Sequence, residues 1–241
     1  MKRFLLVLFA ALFLLPLSTT AQGGGESYYI SKEAWDLRVG DRVGESGFDF
    51  VERDASLPNV LIIGSSISIG YTPYVQQAMR GEANVYRIPE SSKDSNNSLA
   101  KIEDWLSNMS WDVIHMNIGM YDICRTKDAN ERDVPADLYR ANMSKIISTI
   151  INNTSAQIIW ATITYVPEGV EPRRVMGDEL LYNDIVDEVF SNYCGAMVDN
   201  QYSLSRARAE LQKPRDVHFT SEGYEALAKQ AVSTIREALN Q

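Results

Sequence analysis

At 241 residues with a formal charge of −9, the chain is long enough for one well-buried domain and too short for two comfortable ones. Its acidity repels polyanions, which sets aside nucleic acid and anionic lipid surfaces as partners and favours a neutral substrate. Only two cysteines and two histidines are present, so thiol and imidazole chemistry is confined to a few positions.

The amino end reads Met1-Lys2-Arg3, an apolar run over residues 4–17, then Ser18-Thr19-Thr20-Ala21. A basic start, an apolar middle and a small-residue junction predict a secretory signal over residues 1–21, cleaved after Ala21, and a secreted or periplasmic product. The apolar run falls short of the about 20 residues that cross a bilayer, and no later stretch is longer, so no membrane span is expected after cleavage. Residues 22–58 mix Tyr28, Tyr29, Trp35, Phe48 and Phe50 with charges and glycines, without a sustained helical or strand period. Too aromatic for a disordered linker, they predict an irregular arm packed on the domain, with Trp35 and Phe50 as anchors.

From residue 59 the pattern alternates. Strands are predicted over residues 59–64, 83–87, 113–118, 157–161 and 196–198, with helices over 72–80, 97–108, 135–152, 177–192, 203–211 and 221–239. Strands separated by helices specify an α/β fold, a five-stranded, mainly parallel sheet covered on both faces, as one domain over residues 59–241. Ligands of such sheets sit beyond the carboxyl ends of the strands. The loops expected at that edge carry Ser66, then Pro89 to Ser95, then Gly119 to Asp122, then Thr162 to Pro167.

The first strand, Val60-Leu-Ile-Ile63, is stopped by Gly64-Ser65-Ser66, and a helix primed by Pro73 follows. A serine in such a turn points its hydroxyl out from the sheet edge, beside the unsatisfied N–H groups of the next helix, which can hold a developing oxyanion. Of the bases available to it, His115 lies in the apolar run Trp111-Asp-Val-Ile-His115-Met and is expected to be packed in the core. His218, in Asp216-Val-His218-Phe-Thr220 just before the capped last helix, is free to face a site. Cys124 and Cys194 are predicted at opposite edges of the sheet, too far apart for the about 6 Å that a bridge requires, so no disulfide is expected. No paired-cysteine or His-Glu-x-x-His zinc pattern and no phosphate-cradling glycine motif occurs, so no metal or other cofactor is expected.

The two blocks Gly64-Ser65-Ser66-Ile67 and Val217-His218-Phe219-Thr220 resemble those of the SGNH or GDSL hydrolases, whose first block is Gly-Asp-Ser-Ile/Leu and whose last is Asp-x-x-His. The resemblance implies a three-layer α/β/α, flavodoxin-like architecture, Ser66 as nucleophile and His218 as general base. The family's aspartate three residues before the histidine is Arg215 here. Asp216 can replace it, since residues two apart in an extended segment face the same way, or it is a solvent-facing turn residue. The family's oxyanion donors are also altered. Ser92 and Lys93 stand where a glycine is expected, and Tyr121 replaces the asparagine of Gly-x-Asn-Asp in Gly119-Met-Tyr121-Asp122. Substitutes are the N–H groups of Ser66 and Ser92, the amide of Asn117 and the phenol of Tyr121, although backbone-satisfied burial is favoured for Asn117 and a pocket-wall role for Tyr121. Asp94 and Asp122 are expected to brace loops, and Arg125, Arg173 and Arg174 to lie solvated near the rim.

The expected activity is hydrolysis of a carboxylic ester, a small acyl group such as acetyl on a small molecule or carbohydrate, by an exported monomer. The alternative is a member that kept the fold but lost turnover and binds a glycan or a partner.

Overall fold

The computed structural model describes residues 27–125, 131–193 and 195–240. The predicted signal and Cys194 lie outside them; Cys124 is a buried free thiol. Five strands form one parallel sheet: β1 (Asn59–Gly64), β2 (Asn84–Arg87), β3 (Val113–Asn117), β4 (Gln157–Ala161) and β5 (Met197–Asp199), in the order β2-β1-β3-β4-β5. β1 is buried throughout, as its unbroken apolar run requires for a strand covered on both faces.

Among the described residues seven α-helices accompany the sheet: α1 (Lys32–Val39), α2 (Ser66–Ala78), α3 (Ser95–Leu106), α4 (Ala136–Asn153), α5 (Asp178–Phe190), α6 (Gln201–Ala207) and α7 (Ser221–Leu239). α2 and α7 pack together on one face, while α3, α4 and α5 pack in a row on the other. α7 buries Leu227, Ala231, Val232, Ile235 and Ala238, the spacing of one helical stripe. Among the described residues no helix is long and apolar enough to cross a membrane.

Two elements differ from expectation. α2 starts at Ser66 rather than at residue 72, and Pro73 lies inside it. The hydroxyl of Ser68 donates to the carbonyl of Ser65 and that of Thr72 to the carbonyl of Ser68, so side chains reinforce a turn whose serines and Gly70 read as loop. Pro73 has no N–H to offer Ile69 four residues back, and the Ile69 carbonyl instead lies so close to Gly47 of the arm that a Cβ there would sit 2.9 Å from it.

The arm, for its part, is not irregular throughout. Ser31 caps α1, accepting from the N–H of Ala34. This helix buries only Trp35 and Val39 and leaves Leu37 exposed, too short a stripe for its period to be visible. Trp35 is an anchor as expected, its indole donating to the carbonyl of Phe48. Phe50 is only half-buried; the deeper anchors are Phe48 and Tyr29, the latter packed edge-on against Trp111 and donating to the carbonyl of Trp105.

Candidate active site

β1 and β3 end level, Gly64 pairing with Asn117, so the loops that follow them open at one edge. Gly64 is required there, because a Cβ would lie 2.5 Å from the Ser68 hydroxyl and 3.0 Å from the carbonyl of Asn117. The chain turns at Ser65, in extended conformation, and Ser66 becomes the first residue of α2. Its hydroxyl and N–H therefore stand at the positive end of a helix, where the first N–H groups have no intrahelical acceptor.

The histidine is brought in by the last segment before α7. Gln212 and Phe219 pair in a short antiparallel bridge, and the N–H of Lys213 donates to the carbonyl of His218. Val217 and Phe219 point into the core, so Asp216 and His218, alternating with them, face outward. Arg215, which makes the turn, has a positive φ of 57°. Thr220 then caps α7 through the N–H of Gly223.

His218 Nε2 lies 2.9 Å from Ser66 Oγ, and His218 Nδ1 lies 2.7 Å from Asp216 Oδ1. An ionised carboxylate only accepts, so Nδ1–H donates to Asp216 and Nε2 is left to accept the Ser66 proton. The N–H of His218 donates to the same carboxylate oxygen at 3.1 Å. Partial burial pushes the Asp216 carboxyl upward, but the hydrogen bonds from the His218 N–H and imidazole, with the imidazole's charge, outweigh it and hold the pKa below the usual carboxylate value. Both side chains remain 37 % exposed, so the triad is open to solvent.

The expected oxyanion donors fare differently. The N–H of Ser92 is taken by the carbonyl of Gly64 at 3.1 Å, and its buried hydroxyl has no partner. Ser92 is therefore a brace of the Ser66 turn. Asn117 donates both of its amide hydrogens inward, to the carbonyls of Ala161 and Thr162 at 2.8 and 3.0 Å, so it ties β3 to β4. Gly119 has φ 137°, and a Cβ on it would lie 2.3 Å from Ile163, so it serves close packing. Tyr121 is exposed at the site edge of the sheet. Lys93, one of the two residues standing where the family's glycine is expected, adopts the left-handed φ of 53°, the conformation a glycine takes without strain, and its N–H reaches only the Ser91 hydroxyl at 3.3 Å.

The remaining polar residues brace the loops. Asp94 caps α3 by accepting from the N–H of Asn97. Asp122 is fully buried and accepts from the N–H of Ser95 with both oxygens, at 3.0 and 3.1 Å. Of the rim arginines, Arg173 is exposed, while the other two are not solvated surface. Arg125 and Arg132 clamp Asp178, and Arg174 is buried, donating to the carbonyls of Met120 and Pro172. His115 is in the core as expected, 2.9 Å from Asp199, which also accepts from Gln201 and Gln230. Among the described residues no group of three or more His, Cys, Asp or Glu is placed to hold a metal ion.

Burial raises the Asp122 carboxyl to about 7, against the lowering effect of its bonds to Ser95. A carboxyl raised on folding stabilises the protein below its unfolded value, and that contribution is lost as pH climbs toward the folded value, here across about pH 4 to 7. Asp122→Asn keeps an acceptor for Ser95 without the charge. It is expected to leave Tm unchanged near pH 4 and to raise it at pH 8, read by thermal unfolding at both.

The GDSL-like Lipase/Acylhydrolase family model matches residues 18–231. The chain belongs to this family. The GDSL-type fold is shared with solved structures of low identity. An acetyl xylan esterase, AlAXEase, is 15% identical with a TM-score of 0.61, over 73% of this chain and 99% of its own. A lipase/acylhydrolase from Enterococcus faecalis is 18% identical with a TM-score of 0.64, over 75% and 96%. The acetylxylan esterase Axe2 from Geobacillus stearothermophilus is 20% identical with a TM-score of 0.61, over 74% and 94%. No curated protein sequence matches the chain. As a family member, it departs from the GDSL pattern at Ser65, Lys93, Tyr121 and Arg215; membership and the esterases of like fold support an ester hydrolase.

Proposed function

We propose that the protein is an exported esterase that removes a small acyl group, such as acetyl, from a carbohydrate. The observation that carries this reading is the unbroken chain of hydrogen bonds Ser66–His218–Asp216, at 2.9 and 2.7 Å, assembled at the amino end of α2.

His218 Nε2 takes the Ser66 proton as Oγ attacks the ester carbonyl, and Asp216 stabilises the imidazolium that forms. The oxyanion is held by the N–H of Ser66 and by that of Lys93, whose left-handed backbone supplies what a glycine supplies elsewhere. His218 returns its proton to the leaving alcohol, forming the acyl-enzyme, and then draws a proton from water for the second attack. The half-exposed triad suits a substrate that is small on the acyl side and bulky on the alcohol side, and acetyl xylan esterases among the structures of like fold support that choice. Export rests on the signal pattern of residues 1–21.

The test compares acetate release from acetylated xylooligosaccharides with hydrolysis of aryl acetate and aryl octanoate. Faster turnover of acetyl than octanoyl esters, with acetate released from the sugar, is expected. Turnover of aryl esters with no release from any acetylated carbohydrate would reject the carbohydrate substrate.

A further inference from the structure

One buried cation lies behind the nucleophile turn with no role in the chemistry above. Arg87, the last residue of β2, is 1 % exposed, and among the described residues no carboxylate pairs with it. Its Nη1 donates to the carbonyls of Ile88 and Glu90 at 2.7 and 3.1 Å, and its Nη2 donates to the carbonyl of Gly64 at 3.3 Å. Its Nε is buried without a partner. The remaining surface of the guanidinium is covered by the ring of Phe48 from the arm, whose centre lies 4.4 Å from Arg87 Cζ and 3.8 Å from that of Arg42.

Burying an unpaired cation is costly, so the gain must lie in what the group holds. The carbonyls it holds belong to two segments. Gly64 stands two residues before Ser66, and its carbonyl also accepts the N–H of Ser92. Ile88 and Glu90 open the loop that carries Ser92 and Lys93. Arg87 thus joins the turn presenting the Ser66 hydroxyl and N–H to the loop presenting the Lys93 N–H. Along the covalent chain the whole of α2 and β2 separates them, and the Ser92 N–H on the Gly64 carbonyl is the main-chain tie that Arg87 reinforces. The arm closes this joint twice, with Phe48 over the guanidinium and with Gly47 against the Ile69 carbonyl of α2.

We propose that Arg87 is a positioning residue that fixes the nucleophile turn against the oxyanion loop, and that Phe48 locks it, making the arm part of the catalytic unit. This rests on Ser66 being the nucleophile. The guanidinium needs its fork of donors to span both segments, so lysine, with a single nitrogen, restores the charge but only part of the span. Because a misplacement of a fraction of an ångström affects the reacting geometry more than ground-state binding, the loss falls on kcat.

The experiment measures kcat, KM, Tm and amide exchange for Arg87→Met, Arg87→Lys and Phe48→Leu, with Ile235→Val, in the core of α7, as a stability control. Arg87→Met is expected to lower kcat about ten- to a hundredfold with KM changed less than about threefold. Arg87→Lys should recover part of the loss, Phe48→Leu should lose less than Arg87→Met, and Ile235→Val should lower Tm with kcat kept. Amide exchange at Ser92 is expected to quicken in Arg87→Met and not in the control. That readout needs no turnover, so it decides the joint even if the esterase reading fails. A folded Arg87→Met with wild-type kcat and wild-type exchange at Ser92 would overturn the proposal. Should that variant not fold, wild-type kcat in both Arg87→Lys and Phe48→Leu would overturn it equally.

Discussion

Ser66→Ala is expected to lower kcat/KM for a short aryl acetate by a factor on the order of 10⁴ or more, with Tm within a few degrees of wild type. In the proposed mechanism this hydroxyl forms the acyl-enzyme, and it is the one hydroxyl at the head of α2 within hydrogen-bond reach of His218 Nε2 among the described residues. Ser65 is the neighbour that sequence alone leaves as a rival. It is buried, sits at the N-cap of α2 without a side-chain capping bond, and its carbonyl accepts from the Ser68 hydroxyl and the N–H of Ile69. Ser65→Ala retains those carbonyl contacts and is expected to keep activity within a few-fold. Steady-state hydrolysis by the two variants side by side assigns the nucleophile.

Asp216→Asn is the second large effect. The amide keeps an oxygen that can accept from the His218 N–H and Nδ1–H, so the loop holds its shape. What is removed is the negative charge that stabilises the imidazolium in the transition state. In a fully buried triad that loss reaches about 10⁴ in kcat; here the acid is 37 % exposed and water screens part of its field, so the expected loss is about 10²-fold. The pH profile follows from the direction of the shift. A carboxyl held below its usual value stays ionised as pH falls through weak acid, and its contribution is lost only below the usual carboxylate range. Acidifying from pH 7 to pH 5 is therefore not expected to bring wild type down to the Asp216→Asn level. A crossing of the two profiles above pH 5 would assign Asp216 another role.

Much of this architecture is written locally. β1 and β4 fall on the residues their apolar, β-branched runs indicate, because a strand buried on both faces leaves few other sequences possible. α7 was legible from its cap and its stripe. Ser66 and His218 were legible because each sits at a boundary where a strand or a cap fixes the direction of the side chain. Asp216 could be read only as one of two alternatives, since the turn that aims it depends on Arg215 adopting a positive φ.

Misreadings cluster where a local signal is overruled from a distance. Pro73 reads as the start of a helix, yet α2 begins at Ser66, where the serine and threonine hydroxyls bond back to its first carbonyls. Ser92 carries a plausible donor for an oxyanion, but Gly64 has already claimed it; for Asn117 the favoured reading holds, its amide being spent on Ala161 and Thr162. Which donor is spent and which is free is a property of neighbouring strands. Lys93 was legible as standing at the glycine position, but not its left-handed backbone, and the burial of Arg87 had no local signal.

The most direct test of the account is where a fluorophosphonate probe attaches to the intact protein. Peptide mapping is predicted to find a single adduct on Ser66 in wild type, and none in His218→Ala treated for the same time. An adduct on Ser65, or wild-type labelling of Ser66 in the absence of His218, would contradict it.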